Sequence, residues 1–545
     1  MAFEYEFNLW ITLPLLTAIY LLTKHILQKL HNLPPTLFPT LPIIGHLHVL
    51  KPPLHRSLAK LSQTRRQPIL LLRFGSRNVL HVASPTAAEE CLSKNDVVFA
   101  NRPRLLSGKY FGYNYTSLPW APYGAHWQNL RRISAVEILS STRLDSLSLV
   151  RLDETRAMIH KFFSTTCNKN NNSSSNSTST TTDNNSNSNS NSNSNNNSPD
   201  QIVNLRAVLS ALMFNIMTRM MGGKRYYGDL DGGEEEEAKR FSDVIEDTED
   251  VISRSKILDM LPNFQWLFGR KIEKRFAFVQ KKRDDFMQVW IDEFRADGLG
   301  DSDVEGKKKT LLQILLSLQD ADPEYYTDAM IKSLSQALLH GGINTSVETM
   351  EWAMSLLLNN PHVLHKAQTE IDSVVGCDRL VNELDLSKLP YLQCIIKETL
   401  RMHPTAPLLL PHESSKDCMV GGYRIPQGTM LFVNVWAIQN DPNIWESPDM
   451  FMPERFEGKE SSIKEKDGLT MMPFGSGRRR CPGENLALRI VGLALASMIQ
   501  CFDWKRVGPE LVDMSESGGF TAPKAQPLVA KYRVRSIVEH HLSQI

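Results

Sequence analysis

No two cysteines in this chain stand at a CxxC spacing, and the seven present are scattered at 91, 167, 377, 394, 418, 481 and 501. An odd, dispersed set argues against a disulfide scaffold and against a zinc ribbon. Net charge is nearly absent as well. Sixty-one Lys+Arg against 60 Asp+Glu leave +1, so no global field points to nucleic acid as a partner. Internal repeats are lacking, which excludes solenoids and arrays. Gly475-x-Gly477 begins a dinucleotide fingerprint, but Arg480 stands where its third glycine would be. That argues against a Rossmann turn and leaves the chain without a nicotinamide-binding signature of its own. What remains is ordinary globular material: 545 residues, 41% hydrophobic, enough for a large core.

The N-terminus departs from this average. Phe7 to Thr23 is uncharged and mostly apolar. At 1.5 Å per residue it spans roughly 26 Å, close to a hydrocarbon core of about 30 Å. Lys24, His25, Lys29 and His31 follow it, so the positive flank is C-terminal and the bulk of the chain is expected in the cytosol. A cleaved signal peptide normally carries its basic cluster first and ends in small residues, and this segment does neither. Residues 1–31 are therefore expected to be a single-pass membrane anchor, and the proline-rich residues 32–45 a stiff hinge. The rest, 46–545, reads as one mixed unit. Within it, residues 168–198 are almost all Asn, Ser and Thr and cannot bury apolar surface, so disorder is expected there. Glu234 to Glu237, after two glycines, read as a second solvated loop.

Ile69–Phe74 and Asn78–Ala83 flank Gly75-Ser76 like a hairpin. Ser84-Pro85 looks like an N-cap with proline at the first helical position. A long amphipathic run from about Thr327 to Asn359 is stopped by Pro361, and a β-rich stretch lies near Gly421 to Ile438. The class expected is mainly α with small β-sheets, an α+β fold. His362 and His365, on a polar face, read as solvated rather than as metal ligands.

The chemistry concentrates in Phe474-Gly-Ser-Gly477-Arg-Arg479-Arg-Cys481-Pro-Gly483, ahead of the helical pattern Glu484 to Ile499. Glycines allow a tight turn and close backbone approach. Three arginines supply positive charge, and a cysteine ahead of a helix N-terminus can be held as thiolate. A plain buried cysteine or a nucleophilic Cys–His pair are the competing readings.

The string F-x-x-G-x-R-x-C-x-G resembles the haem-binding loop of the cytochromes P-450, and it is complete here. Other stretches resemble further motifs of that family in order: Trp127 to Arg131, Gly341 to Ser346, Glu398 to Arg401, and Phe451 to Phe456. The resemblance covers everything except the Asn/Ser insert. Leu41 to His48, Ala100 to Lys109, Glu351 to Ser355 and Leu410 to Ser415 are similar to plant A-type enzymes of the isoflavone 2′-hydroxylase-like group, family 81.

The resemblance implies an NADPH- and O2-dependent monooxygenase holding haem b (iron protoporphyrin IX). It would be anchored to the endoplasmic reticulum with its catalytic domain cytosolic, and served by NADPH–cytochrome P-450 reductase. Cys481 would be the axial thiolate on iron. Arg131, Arg479 and His412 would meet the two propionates, with Trp127 as an indole N–H donor. Thr345 and Asn344 occupy the catalytic pair of the long helix. The family usually has an acid at the position of Asn344, and an amide cannot exchange a proton as a carboxylate does. Glu398, Arg401 and Arg455 would form a structural charge triad, and Arg478 and Arg480 a basic face for the reductase. Phe111, Gly341, Leu408 and Phe520 would line an apolar, aromatic pocket. That suits a flavonoid, isoflavonoid, benzophenone or similar small phenolic, to be hydroxylated. Oxidative phenol coupling or ring closure, giving a xanthone or methylenedioxy bridge, is the alternative that Asn344 raises. A reductase-independent isomerase or dehydratase and a silent haem-binding protein are remoter ones.

Overall fold

The computed structural model describes residues 29–37, 39–174, 200–228, 232–261, 265–296, 309–376, 378–458 and 469–542, with scattered positions from 12 to 26. Most of the expected anchor and residues 175–198 of the Asn/Ser insert lie outside the described residues. Strands β1 (Ile69–Phe74) and β2 (Arg77–Val82) pair antiparallel around a two-residue turn. Gly75 takes φ +59 there, and an added Cβ would fall 2.0 Å from the Met260 carbonyl oxygen, so only glycine fits. Ser84 caps the next helix by accepting from the Ala87 N–H, and Pro85 opens it.

Helices then dominate. α1 is Leu106–Tyr110, α2 Ala125–Ile133 and α3 Ser148–Ser174. The helix α3 continues into the stretch expected to be disordered. Strand β3 (Gln201–Asn204) leads into α4 (Leu205–Gly222), α5 (Gly232–Met260) and α6 (Gln265–Ala296). Glu234 to Glu237 are therefore helical, which corrects the loop reading. They fall in the opening turns of α5. Helix α7 (Leu311–Ala321) starts with a Thr310/Gln313 capping box.

The axis of the molecule is α8, Asp328–Asn359, about 48 Å long at 1.5 Å per residue. Thr327 caps it by accepting from the Met330 N–H, and Pro361 opens α9 (Pro361–Val375) straight after it. Its C-terminal half, from Ser346 to Leu358, is buried all round, while the middle turns lie open on one side. Gly342 lets α4 approach, since a Cβ there would meet Met217 Cε at 2.7 Å. α10 is Pro390–Met402 and α11 Glu484–Cys501. Among the described residues, α11 is the one helix long and apolar enough to cross a membrane, and it lies largely inside the core. His362 and His365 sit exposed on α9.

The remaining strands are β4 (His412–Glu413), β5 (Cys418–Val420), β6 (Tyr423–Ile425), β7 (Met430–Val433), β8 (Phe502–Arg506) and β9 (Val529–Val534). They form sheets of order β1-β2-β7-β4, β3-β9-β8 and β5-β6. The β2–β7 pairing is parallel, Val79 with Met430 to Val82 with Val433. The stretch from Gly421 to Ile438 is thus β-rich as expected, though it ends in the short helix Val435–Gln439.

Candidate active site: a cysteine facing a cation-rimmed cavity

A cavity of about 470 Å³ opens between α8, the loop before α11 and the segment after α10. The loop is shaped by its glycines. Gly477 takes φ +67, and a Cβ would sit 2.3 Å from the Leu92 carbonyl oxygen. The Cys481 N–H then closes the turn onto the Phe474 carbonyl at 2.9 Å. Cys481 lies deep in the protein yet keeps accessible surface, because its side chain faces the cavity. Burial pushes its thiol up, opposed by the Gly483 N–H and the Arg131 charge. The helix start alone therefore does not favour a thiolate here.

Cations outnumber acids on the rim: among the described residues, Glu137 is the one carboxylate that lines it. Arg479 donates to the carbonyls of Ala100, Leu118 and Ala121, and its guanidinium carbon lies 4.4 Å over the Trp127 ring. Burial and the neighbouring Arg131 push Arg479 down to about 9. Arg131 has no hydrogen bond or ion pair to a side chain among the described residues. Burial pushes it down too. Arg102, which sequence reasoning missed, also lines the cavity, with its donors on the carbonyls of Pro119, Leu410 and Pro411. Nothing in Ala100-Asn-Arg-Pro-Arg marks it out from Arg104, which is exposed. His412 donates from Nδ1 to the Phe99 carbonyl at 2.8 Å, and burial with Arg102 holds it well below its usual range. Arg102, Arg131, Arg479 and His412 thus line the cavity together, and among the described residues Arg102, Arg479 and His412 give their hydrogen bonds to carbonyls rather than to carboxylates. Such a wall is complementary to a bound group carrying two carboxylates beside a soft, thiolate-seeking metal.

Trp127 lines the cavity, but its indole N–H is committed to the Leu118 carbonyl at 3.1 Å. It packs beneath Arg479 rather than offering a donor. Phe111, Gly341, Thr345 and Phe520 line the cavity as well. A Cβ on Gly341 would meet nothing within 4 Å, so that glycine leaves open space. Leu408 does not line it. It packs against the cluster around Leu58, Leu70 and Phe432, and Leu409 and Leu410 face the cavity instead.

The Thr345 hydroxyl donates to the Gly341 carbonyl at 2.7 Å. Asn344 is absent from the lining, its side-chain amide turned to Glu249 of α5. One turn on, Glu348 is 6% exposed, accepts from the Thr521 hydroxyl at 2.9 Å, and is pushed up to about 8 by burial. Away from the cavity, Glu398 takes both Arg401 and Arg455 at 2.8–2.9 Å, with the Glu398 and Arg401 side chains fully buried. Arg478 pairs with Asp96 and Arg480 with Glu484, both arginines remaining exposed.

The comparisons with known proteins follow the same lines. A family model described as Cytochrome P450 matches residues 35–529. Cytochrome P450 81Q32 of Catharanthus roseus is 43% identical, over 95% of this chain and 94% of its own. The (+)-piperitol/(+)-sesamin synthase CYP81Q2 of Sesamum radiatum is 42% identical over 95% and 94%. An isoflavone 2′-hydroxylase of Glycyrrhiza echinata is 42% identical over 95% of each chain. A zebrafish cytochrome P450 solved with abiraterone shares the fold at a TM-score of 0.68 and 21% identity, covering 88% of this chain and 99% of that one. A cysteine loop, a cation-rimmed cavity and a long helix, matched along nearly the whole chain, make this protein a member of the cytochrome P450 family: a plant family-81 monooxygenase that carries haem b and takes its electrons from NADPH through a reductase.

Proposed function

We propose that this enzyme hydroxylates an aromatic plant metabolite of the flavonoid, isoflavonoid or benzophenone type. The observation that carries the reading is the cavity itself: Cys481 and Thr345 share it with the aromatic rings of Phe111 and Phe520. The hydroxylase name of one relative supports it, as a statement about that protein.

Thiolate-ligated haem supplies the dioxygen chemistry when bound. Cys481 would hold it as thiolate ligand, and Arg131, Arg479 and Arg102 would meet its propionates through charge-assisted hydrogen bonds. His412 would join them only by gaining a proton on Nε2, since its Nδ1 is already used, and a carboxylate beside it would favour that charge. Thr345, its hydroxyl hydrogen tied to Gly341, presents oxygen lone pairs as an acceptor at the cavity wall. The apolar lining excludes water from the substrate.

Residues 1–31 serve as the endoplasmic-reticulum anchor in this reading, keeping the domain beside its reductase. Arg478 and Arg480 offer that reductase a basic face, and reversing their charge should raise its apparent Michaelis constant. Oxidative ring closure is the second reading. It is favoured by the missing carboxyl beside Thr345, Asn344 having turned to Glu249.

Product mass separates the two. Microsomes holding the protein, reductase and NADPH are given flavonoids, isoflavones and benzophenones. A gain of about 16 mass units marks hydroxylation, and a loss of about 2 marks ring closure. Absence of oxygen consumption with haem bound and reduced would refute both.

A further inference from the structure

One part of the cavity wall is polar in a way the haem does not explain. It is built by Arg283 on α6, Gln336 and His340 on α8, and Ser107 on α1, all cavity-lining. Each carries a buried atom with no hydrogen-bond partner among the described residues: Arg283 Nη1, Gln336 Oε1, His340 Nε2 and Ser107 Oγ. Buried polar atoms are nearly always paired, so these four, with Ser117 Oγ and Arg143 Nη2 unpartnered elsewhere on the same lining, point to a ligand. Arg283 is 6% exposed, and its guanidinium makes no ion pair or hydrogen bond among the described residues. Its contact is with the Phe111 ring, 4.6 Å from the guanidinium carbon to the centroid.

The neighbouring charges do not neutralise it. Asp284 is taken by the Tyr113 hydroxyl and by Lys332, each at 2.8 Å. Tyr113 also receives the Gln336 amide N–H at 3.2 Å, and Gln336 donates to the Arg283 carbonyl, which leaves its Oε1 free. Burial and Arg283 push His340 down to about 3, so it stays neutral, while burial lowers Arg283 only to about 10. The wall thus holds one uncompensated positive charge. Removing such a charge from water is costly unless an anion meets it.

We propose that Arg283, with Ser107, Gln336 and His340, forms a subsite for an anionic oxygen of the aromatic substrate, a carboxylate or an ionised acidic phenol. This rests on the aromatic-substrate reading above. Arg283 supplies forked donors and Ser107 a hydroxyl, while Gln336 Oε1 can only accept and so takes a hydroxyl next to the anion. His340 and Gln336 precede Thr345 by roughly 8 and 14 Å along the helix axis at 1.5 Å per residue, the scale of a two-ring aromatic. An acid held here would direct the opposite ring toward the cysteine side of the cavity.

The test is a spectral titration of the haem-loaded enzyme with two probes of one shape, 4-benzoylbenzoate and neutral 4-methylbenzophenone. Wild type should bind the carboxylate at least about tenfold tighter, the size of one charge-assisted hydrogen bond. Arg283→Gln should lose that preference while keeping affinity for the neutral probe, and Arg283→Lys should restore part of it. The reduced carbon-monoxide spectrum confirms that each variant is folded. With 4-hydroxybenzophenone, tighter binding at pH 9 than at pH 6.5 in wild type alone would name an acidic phenol as the source. Equal affinity of wild type for the two matched probes, or a preference that survives in Arg283→Gln, overturns the subsite. Binding of none of the probes by loaded wild type overturns the aromatic reading and the subsite with it.

Discussion

The side-chain amide of Asn344 hydrogen-bonds the carboxylate of Glu249, tying the middle of α8 to α5 and carrying Asn344 off the wall that Thr345 lines. Glu249 is exposed on its other side, yet burial around the contact pushes its carboxyl up. Replacing the amide with a carboxyl changes both properties together.

Asn344→Asp should therefore set two carboxylates against each other. At low pH they share a proton and the tie persists. As pH rises both ionise, and the variant loses about 1 kcal/mol against wild type, modest because Glu249 meets water. Thermal melting at pH 5 and pH 8 checks this. The same variant tests whether a carboxyl at 344 matters to turnover. A fall in oxygen used per product would show that it does, and an unchanged ratio would remove Asn344 as the reason to favour ring closure.

Glu348→Gln should flatten a pH slope in stability. The Glu348 pKa is raised in the folded protein to about 8, with Glu249, Arg206 and Glu351 around it. The unfolded chain releases this proton near pH 4.5, and the folded one holds it until about pH 8. Its contribution is thus fully present below pH 4.5, falls by up to about 1.4 kcal/mol per pH unit, and is lost once pH passes 8. The glutamine variant keeps a partner for Thr521 without this loss, so it should melt higher than wild type at pH 8 and alike at pH 4.5. A parallel pair of melting curves across that range would contradict the assignment.

Arg401→Met should abolish folding under ordinary expression. It strands the Glu398 carboxylate in a fully buried site with Arg455 and the Met452 N–H left to meet it. It also releases the carbonyls of Gln439 and Pro448 that Arg401 holds. Breaking one member of a buried charge cluster costs about 3–5 kcal/mol. The yield of soluble, haem-loaded protein reads this directly.

Arg479→Leu should still fold, relieved of the repulsion from Arg131 but losing the bonds to the carbonyls of Ala100, Leu118 and Ala121, at a cost of about 1–3 kcal/mol. It should lose haem more readily, by roughly tenfold to a hundredfold in dissociation rate, the worth of one or two charge-assisted hydrogen bonds. Transfer of haem to an apo-globin acceptor measures the rate.

Motifs whose parts are adjacent along the chain are legible in the amino-acid sequence. The cysteine loop, the Glu398–Arg401 pair one helical turn apart, and the hairpin around Gly75 all announce themselves locally. Contacts made by distant helices do not. Glu249, Arg283 and Thr521 reach the cavity or α8 from elements whose apolar patterns do not say which face meets which neighbour. Leu408 illustrates the point at a single residue. Three leucines run from 408 to 410 with no period to choose among them. Leu409 then takes φ +55, a left-handed backbone that turns the chain and swaps which side chain looks inward. The indole of Trp127 escapes sequence reasoning on similar grounds, because its partner is a backbone carbonyl and carbonyls leave no trace in a sequence.

The parallel pairing of β2 with β7 bears on how the molecule is made. Its two strands lie about 350 residues apart, so at 5–20 residues per second a ribosome needs on the order of 20–70 s to supply the second after the first. During that interval β1 and β2 can close only as a hairpin, with the β2 edge bare and its apolar face uncovered. The nascent chain therefore depends on chaperones, or on its own early helices, to shield that edge until β7 emerges, and slowing translation between the two strands should lower the yield of folded enzyme.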